Sequence, residues 1–118
     1  MQNKKSGVWA EKLAYVYFCL HGFKIVEHNY ITGKGTGAGE VDLIVSRGKL
    51  LVFVEVKKRK NLDDAAYAIL NSQKQRIWTA AENFVEKHPQ FQNYDIRFDA
   101  FLVNERFAFK HIPDAWRE

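Results

Sequence analysis

The sequence predicts one α/β domain, a mixed central β-sheet flanked by helices, in the order α-β-β-β-α-β-β. Three observations carry this. Two segments, about 6–21 and 72–87, repeat apolar residues at helical spacing. Between them, Gly39-Glu40-Val41-Asp42-Leu43-Ile44-Val45 and Leu50-Leu51-Val52-Phe53-Val54-Glu55-Val56-Lys57 are apolar and β-branched enough to be buried strands. The length of 118 residues, 47% of them hydrophobic, suits one core and is too short for two.

The first helix runs from Ser6 to His21, with Ser6 or Asn3 as N-cap and Gly22 as its stop. Trp9, Leu13, Val16, Tyr17 and Leu20 form one apolar stripe. Glu11, Ala14, Tyr15 and Phe18 form a second, leaving Lys12 and Cys19 as the solvent face. Glu11 therefore sits among aromatic and small residues, where a charge needs a reason. Phe23 to Ile31 reads as the first strand. A glycine-rich loop, 32–39, follows; no Gly-Lys-Ser/Thr closes it, so it is a flap or long turn rather than a phosphate loop. The next two strands join at Gly48-Lys49 as a two-residue hairpin.

Residues 62–70 carry no clear pattern. Ser72, with Gln75 three residues later, has capping-box spacing and opens the second helix. That helix runs to Lys87, with Ile77, Ala81, Phe84 and Val85 facing the core. Tyr94 to Val103 is a strand with Ile96, Phe98, Ala100 and Leu102 on one face, and Phe107 to Ile112 is the last. Trp116 packs back on the domain. The whole reads as a single α/β layer with a meander at its front.

Lys and Arg number 18 against 14 acids, a net charge of +4 that permits nucleic-acid binding without demanding it. The one cysteine, Cys19, excludes an internal disulfide and fits a reducing cytoplasm. No apolar run approaches the roughly 20 residues of a membrane span, and no signal-peptide core follows the N-terminus. His21, His28, His88 and His111 have no ligand spacing and read as surface or loop residues. Trp9, Trp78 and Trp116 read as core. Asp99 pairs with Arg97.

The hairpin carries the chemistry. Its register pairs Arg47 with Leu50, Ile44 with Phe53 and Asp42 with Glu55. Strict alternation then puts Glu40, Asp42, Ile44, Phe53, Glu55 and Lys57 on one face. Asp42 and Glu55 are opposed with Cβ atoms roughly 5 Å apart. Two carboxylates so placed repel, and a sequence built only to fold has no reason to pair them. A divalent ion reverses the balance, because Mg²⁺ is typically held by one or two carboxylates plus water and phosphate oxygens. Lys57 lands beside the same site, and Glu11 offers a further acid from the helix. Acid, acid and lysine around Mg²⁺ or Mn²⁺ form a phosphodiester-cleaving centre. An isolated Glu-x-Lys would be an ordinary surface ion pair; Asp42 opposite it lifts this one above that. Glu40 is an accessory acid. Phosphate contacts would come from Lys58, Arg59 and Lys60 just after the site, and from Gln73 and Lys74 at the second helix's N-terminus.

These residues resemble a known family. The stretches 39–44, 52–59, Ala10-Glu11, Lys74-Gln75-Arg76-Ile77 with Ala80-Ala81, and Arg97-Phe98-Asp99 are similar, in order, to the YraN-like family of uncharacterised bacterial proteins. That family is similar to the restriction-endonuclease-like PD-(D/E)XK nucleases, and among them to archaeal Holliday-junction resolvases. The resemblance implies that fold, a metal-dependent endonuclease acting on branched DNA or repair intermediates, and a homodimer suited to paired cuts. It implies Asp42 and Glu55 as metal acids, Lys57 as the catalytic lysine and Glu11 as the helix acid. The family often has a basic residue just before Gly-Glu-Ile-Asp; here Lys34 is the only charge on that approach. The alternatives are a nucleic-acid-binding or repair-partner module that keeps the fold without turnover, and a purely structural protein.

Overall fold

The computed structural model describes residues 2–33, 38–63 and 69–117, with only the backbone of 2–7. The segments are α1 (Gln2–Leu20), β1 (Lys24–Thr32), β2 (Gly39–Arg47), β3 (Leu50–Lys58), α2 (Asn71–Lys87), a 3₁₀ turn (Pro89–Phe91), β4 (Asp95–Val103) and β5 (Phe109–Ile112). The expected order of helices and strands holds. The five strands lie in the order β1-β2-β3-β4-β5. All neighbours are antiparallel except β3 and β4, which run parallel and are joined through α2.

The hairpin formed as its residues require. Arg47 pairs with Leu50 and Ile44 with Phe53, and Gly48 takes the positive φ of +60° that the two-residue turn needs. Gly22, at φ +83°, ends α1. Gly39 has a different reason. A Cβ there would strike the Thr32 hydroxyl and come within 3.0 Å of the Ala80 backbone nitrogen. The glycine is what lets β2 and α2 approach.

The two helices cover opposite faces of the sheet, the central sheet flanked by helices that was expected. Strand alternation explains it: β2 and β3 are apolar on both sides, and each side needs a cover. Ile44, Leu51, Phe53, Ala100 and Leu102 pack with Ile77, Ala80 and Phe84 of α2. Leu43, Val45, Val52, Val54 and Phe101 pack with Ala10, Ala14 and Phe18 of α1.

Several expectations are corrected. α1 begins at Gln2, so Asn3 and Ser6 lie inside it. Its buried line is Ala10, Ala14 and Phe18, while Val16 and Leu20 are 52% and 80% exposed; the sheet takes the narrow small-residue face, where the helix backbone can approach most closely. α2 begins one residue earlier than Ser72, and its cap is Gln73, whose Oε1 accepts the Leu70 N–H at 3.1 Å. Ile96, at the strand's start, is exposed. The last strand begins at Phe109 because Phe107, at φ +64°, is in the turn. Trp116 stacks on Phe98 at 5.6 Å as expected. Residues 64–68 and Lys34 lie outside the described residues. Among those described, no helix is long and apolar enough to cross a membrane.

Candidate metal centre

The hairpin ladder is regular from Arg47–Leu50 to Leu43–Val54 and then changes. Beyond Leu43, Val41 packs in the α2-side core together with Ile44, so strict alternation breaks between them, although Glu40, Asp42, Glu55 and Lys57 still line one space. Asp42 sits at the break. Its Oδ2 accepts the Val56 N–H at 2.8 Å, a side chain standing where a strand carbonyl would. Asp42 thereby lines two spaces. On the α2 side is a small polar niche of about 130 Å³, shared with Glu40, Glu55, Lys57, Gln73 and Arg76. On the α1 side is an apolar cleft of about 490 Å³, shared with Glu11, His28 and Asn29.

In the niche, Glu55 is buried. The Lys57 ammonium lies 3.1 Å from its Oε2, and the Asp42 carboxyl lines the same niche. Burial first, and the charge of Asp42 second, push the Glu55 pKa up to about 8; Lys57 opposes this without overcoming it. On the other side, Glu11 is also pushed up, by burial and then by Asp42, with Glu40 adding a smaller push. A hydrogen bond from Asn29 and the nearness of His28 work against the rise.

Asn29 is a residue that the sequence reading passed over. It lies inside β1 yet adopts φ +51°, a left-handed conformation that Asn tolerates better than other side chains. The strand turns there to aim the amide at Glu11. The signal was present, since Asn is depleted in strands, but the surrounding strand pattern hid it. Arg76 was also missed. It follows Gln73 by three residues and so shares its helix face.

The other predicted contacts divide. Gln73 lines the niche, although its amide oxygen is committed to the α2 cap. Lys74 does not line it. Lys58 turns to the α1 side, its ammonium 5.6 Å from the Trp9 ring centroid. The Arg59 guanidinium donates to the Lys58 carbonyl at 2.7 Å, and Lys60 is exposed beyond the strand. The basic run is thus spread around the strand end.

The donor chemistry fits a hard divalent cation. Asp42 and Glu55 present carboxyl oxygens at one wall, where a cation would relieve their mutual repulsion. Among the described residues no three His, Cys, Asp or Glu side chains converge on one point. Two protein ligands plus water and phosphate oxygens are the arrangement that remains, with Glu11 across Asp42 from Glu55.

A second polar cluster lies at β4 and β5. Fully buried Asp99 receives both Arg97 Nε and Nη2 at 2.8 Å, His111 Nε2 at 2.7 Å and the Asp114 N–H at 3.0 Å. Burial alone would raise its pKa, but His111, Arg97 and Asp114 together hold it below the usual carboxylate value. The Arg97 pair was expected. His111, read as a surface histidine, is instead partly buried between Asp99 and the Tyr17 hydroxyl, 3.0 Å from its Nδ1. The largest groove, about 1190 Å³, runs along α2 by Leu50, Asp95 and Ile96 and holds none of the four predicted catalytic residues.

With this geometry in place, comparison with known proteins adds the following. The model of the uncharacterised protein family UPF0102 matches residues 10–103, bearing out the resemblance read from the strand motifs. A UPF0102 protein of Paramagnetospirillum magneticum is 43% identical over 97% of this chain and 88% of its own length. One from Rhodopseudomonas palustris is 40% identical over 95% of this chain and 80% of its own. Among solved structures, the Holliday junction resolvase Hjc of Archaeoglobus fulgidus aligns with a TM-score of 0.54 at 17% identity, over 87% of this chain and 72% of Hjc. At that identity the likeness establishes the shared fold.

Proposed function

We propose that this chain, which belongs to the uncharacterised protein family UPF0102, is a divalent-metal-dependent endonuclease acting on DNA. The observation that carries the reading is half-buried Asp42 sharing a niche with buried Glu55, whose carboxylate lies 3.1 Å from the Lys57 ammonium. The likeness in fold to a Holliday junction resolvase supports branched DNA or repair intermediates as the substrate class.

Asp42 and Glu55 would hold Mg²⁺ or Mn²⁺. When bound, the cation would lower the pKa of a water and neutralise charge building on the phosphate. Asp42 is fixed for this by the Val56 N–H. Glu55 gives up its proton on binding, so affinity rises with pH. Lys57, beside Glu55, aims its ammonium at the same space, where it orients the attacking water or stabilises the charge of the pentavalent transition state. Glu11 adds a carboxyl with raised proton affinity on the far side of Asp42, suited to holding and releasing a proton. Arg76 and Lys57 are the cations lining the niche and supply contacts for a phosphate entering it. A homodimer would pair two such centres, which sedimentation would detect.

The test is a panel of single-stranded, duplex, flap and four-way-junction DNAs with Mg²⁺ or Mn²⁺, alongside an Asp42→Asn/Glu55→Gln double variant. Cleavage of one structure that disappears in the variant establishes the activity and its substrate class. Binding without cleavage, equal in both proteins, replaces the nuclease with a non-catalytic nucleic-acid-binding module.

A further inference from the structure

The apolar cleft on the α1 side of Asp42 shares Asp42 and Glu11 with the chemistry above, which leaves the rest of its lining without a role. It is walled by Val8, Tyr15 and Val16 of α1 and by Leu43 and Val56 of the sheet, with Lys12, His28 and Asn29 among its polar lining. Val8, Tyr15 and Val16 are each about half exposed, at 50%, 44% and 52%. Such a surface is costly to leave in water. Its volume of about 490 Å³ falls within the roughly 300–1,000 Å³ of small-molecule sites.

Position identifies the occupant. The cleft and the polar niche share two residues, Asp42 and Val56. A phosphate at Asp42 and Glu55 therefore has the cleft on the other side of one side chain. A nucleotide has this division itself, with an anionic phosphate and a flat apolar base one sugar away. Lys12 is placed at the cleft for the next phosphate. In a duplex, both faces of a base are stacked, and a base enters such a cleft only after unpairing and unstacking, at a cost of a few kcal/mol. An unpaired base enters without that cost, and gains by burying its faces against Tyr15 and the valines.

We infer that this cleft receives an unstacked nucleobase next to the scissile phosphate, so that the substrate must offer unpaired nucleotides at the cut. The inference rests on the nuclease reading and narrows it to single strands, flaps and open branch points, against continuous duplex.

The experiment uses 2-aminopurine, whose fluorescence reports stacking, at the centre of a short single strand, at the base of a flap, and in the matched duplex. Binding is followed with Ca²⁺ in place of Mg²⁺, for the wild type and for Val16→Asp and Tyr15→Ser. Both positions are at the surface, and circular dichroism confirms the fold. The wild type is expected to bind the unpaired probes about ten-fold tighter than duplex and to change their fluorescence; each variant should lose about that factor on unpaired probes and nothing on duplex, as the loss of one stacked base predicts. Equal affinity for all probes in the wild type overturns the inference, as does an equal loss on all probes. A fall from dimer to monomer in Val16→Asp, measured by sedimentation, also overturns it, since the cleft would then be an interface between copies. Cleavage of the same probes with Mg²⁺, with Glu55→Gln as blank, separates the two claims. Duplex and unpaired DNA cut equally by wild type and Val16→Asp keeps the nuclease and removes the base site. Selective binding without cleavage in any metal keeps the base site and removes the nuclease. No binding to any probe removes both.

Discussion

Glu55→Gln in metal-free protein tests the centre without needing a substrate. The wild-type carboxyl has its pKa pushed from 4.5 to about 8 in the fold. The unfolded chain therefore loses this proton first as pH rises. Below about pH 4.5 both states hold the proton and Glu55 contributes no pH dependence. Between 4.5 and 8 the folded state binds more protons, so stability falls with pH; above 8 the loss is complete. One pKa unit is worth about 1.4 kcal/mol, which sets a ceiling of about 4–5 kcal/mol on the penalty. The carboxyl is a tenth exposed and opens on a polar niche, so water relaxes part of it and about 2–4 kcal/mol is expected. The assay is urea unfolding in EDTA from pH 5 to 9. The wild type should lose that amount relative to Glu55→Gln across the range. At pH 8.5, saturating Mg²⁺ or Mn²⁺ should restore the wild type by about 2–3 kcal/mol at a hundred times Kd and leave Glu55→Gln little changed. Parallel pH curves for the two proteins would refute the buried, proton-holding Glu55. Equal stabilisation of both by the metal would refute Glu55 as a ligand.

Three further outcomes follow from other residues. Asn29→Gly should relieve the left-handed backbone at φ +51° and leave stability unchanged or higher by up to about 1 kcal/mol, yet slow cleavage several-fold by freeing Glu11; urea midpoints and initial rates check the two halves. Asp99→Asn should cost about 2–4 kcal/mol by breaking a fully buried, multiply bonded acid. Its pH signature is opposite to that of Glu55: the Asp99 contribution is present above its ordinary value of 3.8 and is lost as pH falls below it towards the lower folded value, so the variant should show less acid lability when the urea series is carried below that value. Gly39→Ala should lower stability by about 1–3 kcal/mol, seen as a drop in Tm, because its methyl meets Thr32 and Ala80.

What was legible in the sequence follows from which physical signals are local. The hairpin register could be read because period-2 apolar strands and Gly48 leave one pairing, and it pointed to Asp42 beside Glu55 and Lys57 although the ladder ends at Leu43–Val54. The buried face of α1 could not. That helix carries large apolar residues on every side, and tertiary contact selected Ala10 and Ala14 over Val16 and Leu20, which periodicity ranks higher. The break at Asp42 was hidden for a related reason: alternation is a rule for a regular strand, and here a side chain takes a ladder bond. Asn29 and His111 act through partners 18 and 12 residues away, Glu11 and Asp99, and no spacing rule connects them.

The chain contains its own control for reading buried acids. Asp99 is given two guanidinium donors, an imidazole and a backbone N–H, and its pKa falls. That is how this fold treats a carboxylate whose work is to hold β4, β5 and the following turn together. Glu55 is nearly as buried by the same sheet, but among the described residues Lys57 is its one ion-pair partner, Asp42 faces it, and its pKa rises. Glu11 has Asn29 and rises too. A sheet that can saturate one buried acid with four donors has the means to saturate another. Leaving Glu55 and Glu11 short of positive charge on either side of Asp42 keeps oxygen lone pairs turned toward one wall, at a cost in stability that a bound cation would return. The difference in donor supply, more than the burial of any one acid, is what sets the proposed cation site apart from the structural ion pair at Asp99.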